Sequence, residues 1–430
     1  MSTSINKPLE KLQLFSGKGI QMQTFHITWL SFFFCFFAWF GIAPLMPLVT
    51  EQLHLTKAQK GNIGIASVSA TIIARLIVGR LVDKWGPRKT YSALMLISAI
   101  PVMAIGLSNS YFSFLLFRLA IGIIGASFVI TQYHTSVMFA PNIKGTANAI
   151  AGGWGNTGGG ATQIIMPLIA AGFVGLGWVS TPNSWRLAML VPGIILLIMS
   201  AVYFYYTKDT PEGNFEDLPK SNITKENTLL LAAKDYRTWI LTIAYAACFG
   251  VEITVDNYAA SFFFEDYKAT IIVAGLLASI FGWLNIFARA IGGIIADKIG
   301  AKFGFDGKVW LLAILLTIEG ISIIYFAHAN SLMMAICLMF TFGLCLKMAN
   351  GATYSIVPFI NTKAIGGVAG IVGAGGNIGA MLIGFLFKSN SYSNAFFYLG
   401  CIVSVIGCSI LLSKFFWKTN KLQSSNSINQ

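Results

Sequence analysis

The feature that most constrains this chain is its succession of long apolar runs. A helix needs about 20 consecutive apolar residues to cross the hydrocarbon core of a bilayer. Runs of that kind occur at 26–49, 59–82, 90–108, 111–139, 145–172, 187–207, 238–264, 270–296, 308–327, 331–359, 364–388 and 394–416. Backbone polar groups in lipid must be satisfied within their own segment, so these runs imply twelve membrane-spanning helices. Composition agrees: of 430 residues, 56% are hydrophobic and 10% charged, with a mean hydropathy of +0.71. A soluble domain carries roughly 25% charged residues. A soluble enzyme, a disordered chain and a fibre are excluded, and the expected fold class is an all-α integral membrane protein.

Orientation follows from the basic residues. The one long polar break, 208–236, separates six spans from six. With an even number of spans both ends lie on one side. That side carries 20 Lys and Arg in its tails and loops, against five (Lys57, Lys60, Arg186, Lys268 and Lys388) on the other. By the positive-inside rule both termini are cytoplasmic. The expected organisation is a cytoplasmic tail (1–24), a six-helix bundle (25–207), a cytoplasmic linker (208–236), a second six-helix bundle (237–416) and a cytoplasmic tail (417–430). The start of the chain has no apolar core and does not read as a cleavable signal. The net charge of +13 is scattered over short loops, without the basic stripe that would point to nucleic acid.

An internal repeat links the halves. Arg75, Asp83 and Gly86 recur as Arg289, Asp297 and Gly300, each 214 residues later. Gly145, Asn156 and Gly158 recur as Gly366, Asn377 and Gly379, each 221 residues later. Parallel repeats of six spans are expected to be related by an axis along the membrane normal, with a substrate site near mid-bilayer.

The strongest chemical signal is the matched pair Arg75 and Arg289, each in the middle of an apolar run. An arginine at a helix centre costs about 2.5–3.5 kcal/mol on insertion scales. Neither has a carboxylate at i±3 or i±4. The alternatives are an uncompensated pair that attracts an anion, or charges that snorkel or pair with another helix. Each arginine lies eight residues inside its aspartate, about two helical turns, and this depth favours the anion. The planar, permanently charged fork suits a small flat oxyanion, though phosphate and carboxylate esters would use it equally well.

Two glycine runs form the second signal. Ala151–Gly160 contains six glycines in ten residues, and Gly366–Gly379 is its counterpart. Close helix packing through small faces such as Gly155/Gly159 and Gly366/Gly370 and amide contacts from Asn156 and Asn377 to a polar ligand are both expected. Tyr245 with Phe249, and Phe36 with Phe40, are i, i+4 neighbours. Glu252 and Asp256, one turn apart towards the outer end, fit either proton transfer or structural pairing. Arg118, His134, Glu319 and Lys347 read as buried partners or cavity lining. The six cysteines lie in apolar runs and read as small buried hydrophobes. No metal-ligand or nucleophile–base spacing appears, so no cofactor, metal or enzyme chemistry is expected.

At these residues a family likeness emerges. Gly79-Arg-Leu-Val-Asp83-Lys-Trp-Gly86-Pro-Arg88-Lys resembles the loop signature of the major facilitator superfamily. The two glycine–asparagine runs resemble the paired signatures of its nitrate/nitrite porters, as do Phe117–Gly122, Cys248–Asn257 and Gly351–Phe359. The likeness runs from about Phe25 to Phe416.

The resemblance implies an anion clamped by Arg75 and Arg289, with Tyr245 donating its hydroxyl and Asn156 and Asn377 orienting the signature helices. Phe128 would stack on one ligand face and Phe36 on the other, and Phe249 would belong to the binding set. Gly152 and Gly373 would allow close backbone approach. Asp83, Gly86, Arg88 and Asp297 would latch the halves during alternation. It further implies a monomeric nitrate and/or nitrite carrier of the cytoplasmic (inner) membrane, serving nitrate assimilation by proton symport or by antiport. Transport of another small oxyanion and anion sensing without transport are the alternatives.

Overall fold

The computed structural model describes residues 7–14, 16–217, 228–361 and 364–412, the side chains of Asp83, Pro141, Asn142, Thr228, Ile365 and Gly366 excepted. The expected tail 417–430 and the middle of the 208–236 linker lie outside the described residues. The helices of more than ten residues are α1 (Ile20–Phe40), α2 (Lys57–Ala104), α3 (Tyr111–Ile121), α4 (Ser127–Met138), α5 (Pro141–Gly175) and α6 (Leu190–Tyr206). After the linker come α7 (Tyr236–Glu265), α8 (Ile271–Trp283), α9 (Ala288–Ala327), α10 (Leu332–Ile360), α11 (Ile365–Ser389) and α12 (Tyr392–Leu412).

Among the described residues, eleven helical runs are long and apolar enough to cross a membrane. One of them, Ile271–Ala327, has 57 residues, which at 1.5 Å per residue would extend about 85 Å. That is more than twice the thickness of a bilayer core, and the run is interrupted at Gly304 (φ 69°, ψ −162°). It therefore holds two of the twelve expected spans.

The corresponding break in the first half is Gly86 (φ 81°, ψ 161°), inside the 48-residue α2. Pro87 follows as the first residue of the next helical stretch, where its missing N–H costs nothing. The Asp209 carboxylate then accepts hydrogen bonds from the backbone N–H of Arg88 (2.8 Å) and Phe215 (3.1 Å). Burial pushes this carboxyl up from its usual range, opposed by those two N–H groups and the Arg88 charge. The Arg88 guanidinium reaches the Phe204 carbonyl and Glu216, each at 3.2 Å. Glu216 also pairs with Lys89 at 2.8 Å, and the hydrogen bond from Lys89 holds its carboxyl below the usual value.

The repeat does not carry this turn over at its nominal position. Gly300 stays helical, and the break falls four residues later at Gly304. Gly300 instead accommodates a lysine stem. Lys308 crosses the Gly300 surface, where an added methyl would lie 2.5 Å from its Cε, on the way to an ion pair with Asp297 at 2.6 Å.

Contacts divide the chain into two compact units. The first comprises Met1–Ile223 and Thr254–Ile286; the second comprises Thr224–Ile253 and Phe287–Gln430. Contact density thus groups 254–286 with the first half, where the sequence alone groups them with 237–416.

Each unit is held by a glycine seam. In the first unit Gly155 lies against the Phe32 ring and Gly158 against the Phe33 carbonyl of α1, while Gly160 meets the Gly282 Cα of α8 at 2.8 Å from its ideal Cβ position. In the second, a methyl on Gly375 would lie 3.0 Å from the Thr242 carbonyl oxygen, and one on Gly379 would lie 2.7 Å from that of Ala246, both on α7. Of the expected small-residue pair Gly366/Gly370, a methyl on Gly370 would meet Leu229 at 3.9 Å, and the surroundings of Gly366 lie outside the described set. The cysteines also need correction. Cys35, Cys248 and Cys345 are buried, but Cys337 and Cys408 are exposed, because apolar positions on a membrane helix face lipid as readily as protein.

Gly86→Ala tests the α2 break. It places a side chain at positive φ and drives a methyl into the Asp209 carboxylate, so a loss of at least about 1–2 kcal/mol is expected. Thermal unfolding in detergent should show a clear drop for Gly86→Ala and none for Gly79→Ala, whose added methyl meets nothing within 4 Å.

Candidate functional site

The first unit presents Arg75 from α2. Its side chain is buried, its Nε donates to the Gly125 carbonyl at 3.3 Å, and its guanidinium carbon lies 5.5 Å from the centre of the Phe128 ring. The sequence makes this possible through the 3₁₀ turn Gly122–Ala126 between α3 and α4, whose carbonyls leave the regular helical ladder. Thr71, one turn before Arg75, donates to the Gly122 carbonyl at 2.5 Å. Glycine at 122 lets α2 come close, since a methyl there would lie 2.8 Å from the Ser67 carbonyl oxygen.

Phe128 packs against Phe32 of α1, with ring centres 5.7 Å apart and planes tilted by 45°. Phe36, one turn further along, packs instead against Phe32 (4.7 Å), Trp39 (5.4 Å) and Phe40 (5.6 Å). The α1 ring beside Phe128 is thus Phe32, which sequence reasoning passed over. Its signal was available, as the preceding turn of the same helical face. Asn156 is buried in α5, and Gly152 is buried one turn before it.

The second unit presents Arg289 as the second residue of α9, held where Gly351 of α10 packs on its carbonyl. The expectation of an uncompensated charge is overturned here. Arg289 Nη2 lies 3.2 Å from Glu252 Oε2, and both side chains are buried. Glu252 also accepts from Asn350 (2.6 Å) through the same oxygen and pairs with Lys347 (2.7 Å) through Oε1. The reason is tertiary: the partner comes from α7, 37 residues away, where no i±4 rule reaches. One carboxylate nevertheless serves two cations, so these three groups retain a formal charge of +1.

Around Arg289 stand the residues the repeat singles out. Phe249 lies 6.0 Å below its guanidinium carbon. Tyr245 stacks on Phe249 at 5.1 Å and 4° and meets Tyr354 edge-on at 5.2 Å. A methyl on Gly376 would lie 2.6 Å from the Phe249 ring and 3.0 Å from that of Tyr245, so the second glycine run seats this pair. Asn377 donates to the Gly373 carbonyl at 3.3 Å. Among the described residues the buried Tyr245 hydroxyl and Asn377 Oδ1 have no hydrogen-bond partner. Buried polar atoms are nearly always satisfied, so these two atoms are available to a polar ligand.

Glu252 and Asp256 fall in different units. Asp256 belongs to the first unit, where its carboxylate lies beside Gly159 and its backbone carbonyl accepts from Gln163 at 2.8 Å. Arg118 donates to the Trp39 carbonyl (2.8 Å) and Asn257 Oδ1 (3.0 Å). His134 bonds Tyr203 Oη (2.5 Å) and the Lys208 carbonyl (2.6 Å). Of the expected latch, Arg88 and Asp297 make the contacts given above within their own units, while the Asp83 side chain lies outside the described set.

The sequence profile of the Major Facilitator Superfamily matches residues 28–360. High affinity nitrate transporter 2.5 of Arabidopsis thaliana is 37% identical over 403 residues, covering 93% of this chain and 80% of that protein. The chain belongs to the nitrate/nitrite porter family of the major facilitator superfamily. Nitrate transporter 2.1 of Chlamydomonas reinhardtii is 38% identical to this porter over 92% of the chain and 74% of its own length. The Nitrate/nitrite transporter NrtP of Nostoc punctiforme is 28% identical, covering 96% and 95%. A bacterial homolog of the human lysosomal transporter Spinster, solved inward-facing and occupied, shares the fold with a TM-score of 0.71 at 16% identity, over 92% of this porter and 97% of that chain. The protein is a multi-pass membrane transporter of this superfamily.

Removing the shared carboxylate should be costly. Glu252→Gln leaves Arg289 and Lys347 as buried cations beside a neutral amide, and a loss of roughly 3–5 kcal/mol is expected. Lys347→Met in the same background should recover part of it, because the two sites are coupled. Melting temperatures of the two single variants and the double variant measure this, and strictly additive losses would refute the sharing.

Proposed function

We propose that this porter carries nitrate and/or nitrite across the cytoplasmic membrane by alternating access, with both termini in the cytoplasm. Arg75 and Arg289 are its two anion-recognising groups. The observation that supports this reading most directly is the recurrence of one arrangement in both units. In each, a buried guanidinium stands at the same position of the repeat with an aromatic ring beside it, Phe128 for Arg75 and Phe249 for Arg289. The relatives named for nitrate transport extend over nearly the whole chain.

The chemistry fits a flat, delocalised anion. A guanidinium offers parallel N–H donors in a plane, matching two oxygens of a planar oxyanion, whereas an ammonium offers a point charge. The rings supply an apolar wall that holds the anion's plane. The Tyr245 hydroxyl and Asn377 amide oxygen complete the polar contacts, the latter toward a bridging water. The excess positive charge of the Arg289–Glu252–Lys347 group draws an anion without presenting a bare buried cation when no anion is bound.

Arg75→Lys and Arg289→Lys should each reduce labelled nitrate uptake into reconstituted vesicles to about a tenth or less, a loss of roughly 1.4 kcal/mol or more, while the protein remains folded. Excess unlabelled nitrate or nitrite should compete with uptake, and an organic phosphate should not. Full uptake by either lysine variant, or competition by the organic phosphate, would refute the proposal.

A further inference from the structure

One carboxylate in the second unit has no role in the account above. Glu319, on α9, is fully buried, and among the described residues neither of its carboxylate oxygens has a hydrogen-bond partner. The groups that act on it electrostatically are Lys347 of α10 and Glu252 of α7. The thiols of Cys248 on α7 and Cys345 on α10 also interact with it. On its other side α9 meets α12 backbone to backbone, where a methyl on Gly400 would lie 2.7 Å from the Gly320 carbonyl oxygen. Helix α12 carries no charged residue, only the phenols of Tyr392 and Tyr398 and the thiols of Cys401 and Cys408. An ionised carboxylate without hydrogen bonds in such surroundings is held at a large desolvation cost, which a proton removes.

We propose that Glu319 is a proton-binding site whose occupancy is linked to anion binding at Arg289. The inference rests on the nitrate reading and adds a coupling ion to it. The charge count carries the argument. Glu319 acts on Lys347 and Glu252, and Glu252 in turn pairs with Arg289, so with Glu319 ionised the linked set of two cations and two anions is neutral. With Glu319 protonated the same group carries +1. A proton on Glu319 therefore strengthens attraction for an anion at Arg289, and a bound anion strengthens the hold on the proton. Linkage requires the two effects to be equal in size. The chemical step is minimal: hydronium gives up a proton to a Glu319 oxygen and becomes water, and the proton returns to water when the anion leaves. A carrier built this way moves nitrate together with a proton, through a carboxylate distinct from Glu252, which is committed to Arg289, Lys347 and Asn350.

The test is calorimetric titration of nitrate into the purified full-length porter in detergent, from mildly acidic to mildly alkaline pH. Running it in two buffers of different ionisation enthalpy counts protons taken up. The wild type should take up protons as nitrate binds, and its affinity should fall about fivefold or more towards alkaline pH. Glu319→Gln, which imitates the protonated side chain, should bind nitrate with little pH dependence and no proton uptake. Glu319→Asp should retain proton uptake with a shifted midpoint. Nitrate binding by the wild type without proton uptake overturns the proposal, as does undiminished uptake in Glu319→Gln. Failure of a monodisperse Glu319→Gln protein to bind nitrate overturns it as well. If Glu319→Gln does not fold, Glu319→Asp decides, and an unchanged pH dependence there overturns the linkage. Absence of nitrate binding by the wild type at any pH would instead strike the transport reading itself.

Discussion

A guanidinium inside a hydrocarbon layer must be provided for by the protein around it, and most of what is distinctive here follows from that demand. The two units meet it differently. Around Arg75 the means include a backbone carbonyl released by a 3₁₀ turn and the face of an aromatic ring. Around Arg289 they include a carboxylate, which is itself divided between two cations. The two halves share a pattern of positions, and the contacts described around the second arginine include a network of formal charges.

That difference gives the halves different work. The first offers its arginine a glycine carbonyl and a phenylalanine ring among its contacts. The second gathers Arg289, Lys347, Glu252 and Glu319, so its net charge depends on protons.

Much of this was legible in the sequence. Run length alone delivered the helical membrane fold, because lipid allows a spanning segment so few alternatives. The repeat marked Arg75, Arg289, Asn156 and Asn377 as matched positions without any structure. Three things were not legible. The Glu252 partnership joins α7 to α9 and α10, and local spacing carries no information about contacts between distant segments. The choice of Phe32 over Phe36 as the neighbour of Phe128 depends on the axial position of α1, one turn up or down, which a face carrying phenylalanine at both positions does not reveal. The placement of the second break at Gly304 instead of Gly300 was not legible either, because both are glycines able to adopt positive φ and only one does. Burial of cysteine was misread for a related reason, since in a bilayer an apolar residue is at home on the outside.

The glycine seams have a mechanical consequence. Where α5 meets α1, and where α11 meets α7, main chain rests on main chain or on the flat of a ring. A joint of interlocked leucines must unlock many torsions before one helix can move along another. A joint with no side chain on one of its faces has almost none to unlock. Small displacements along these seams thus encounter little friction, even as contact remains intimate, and rigidity within each unit has to come from elsewhere.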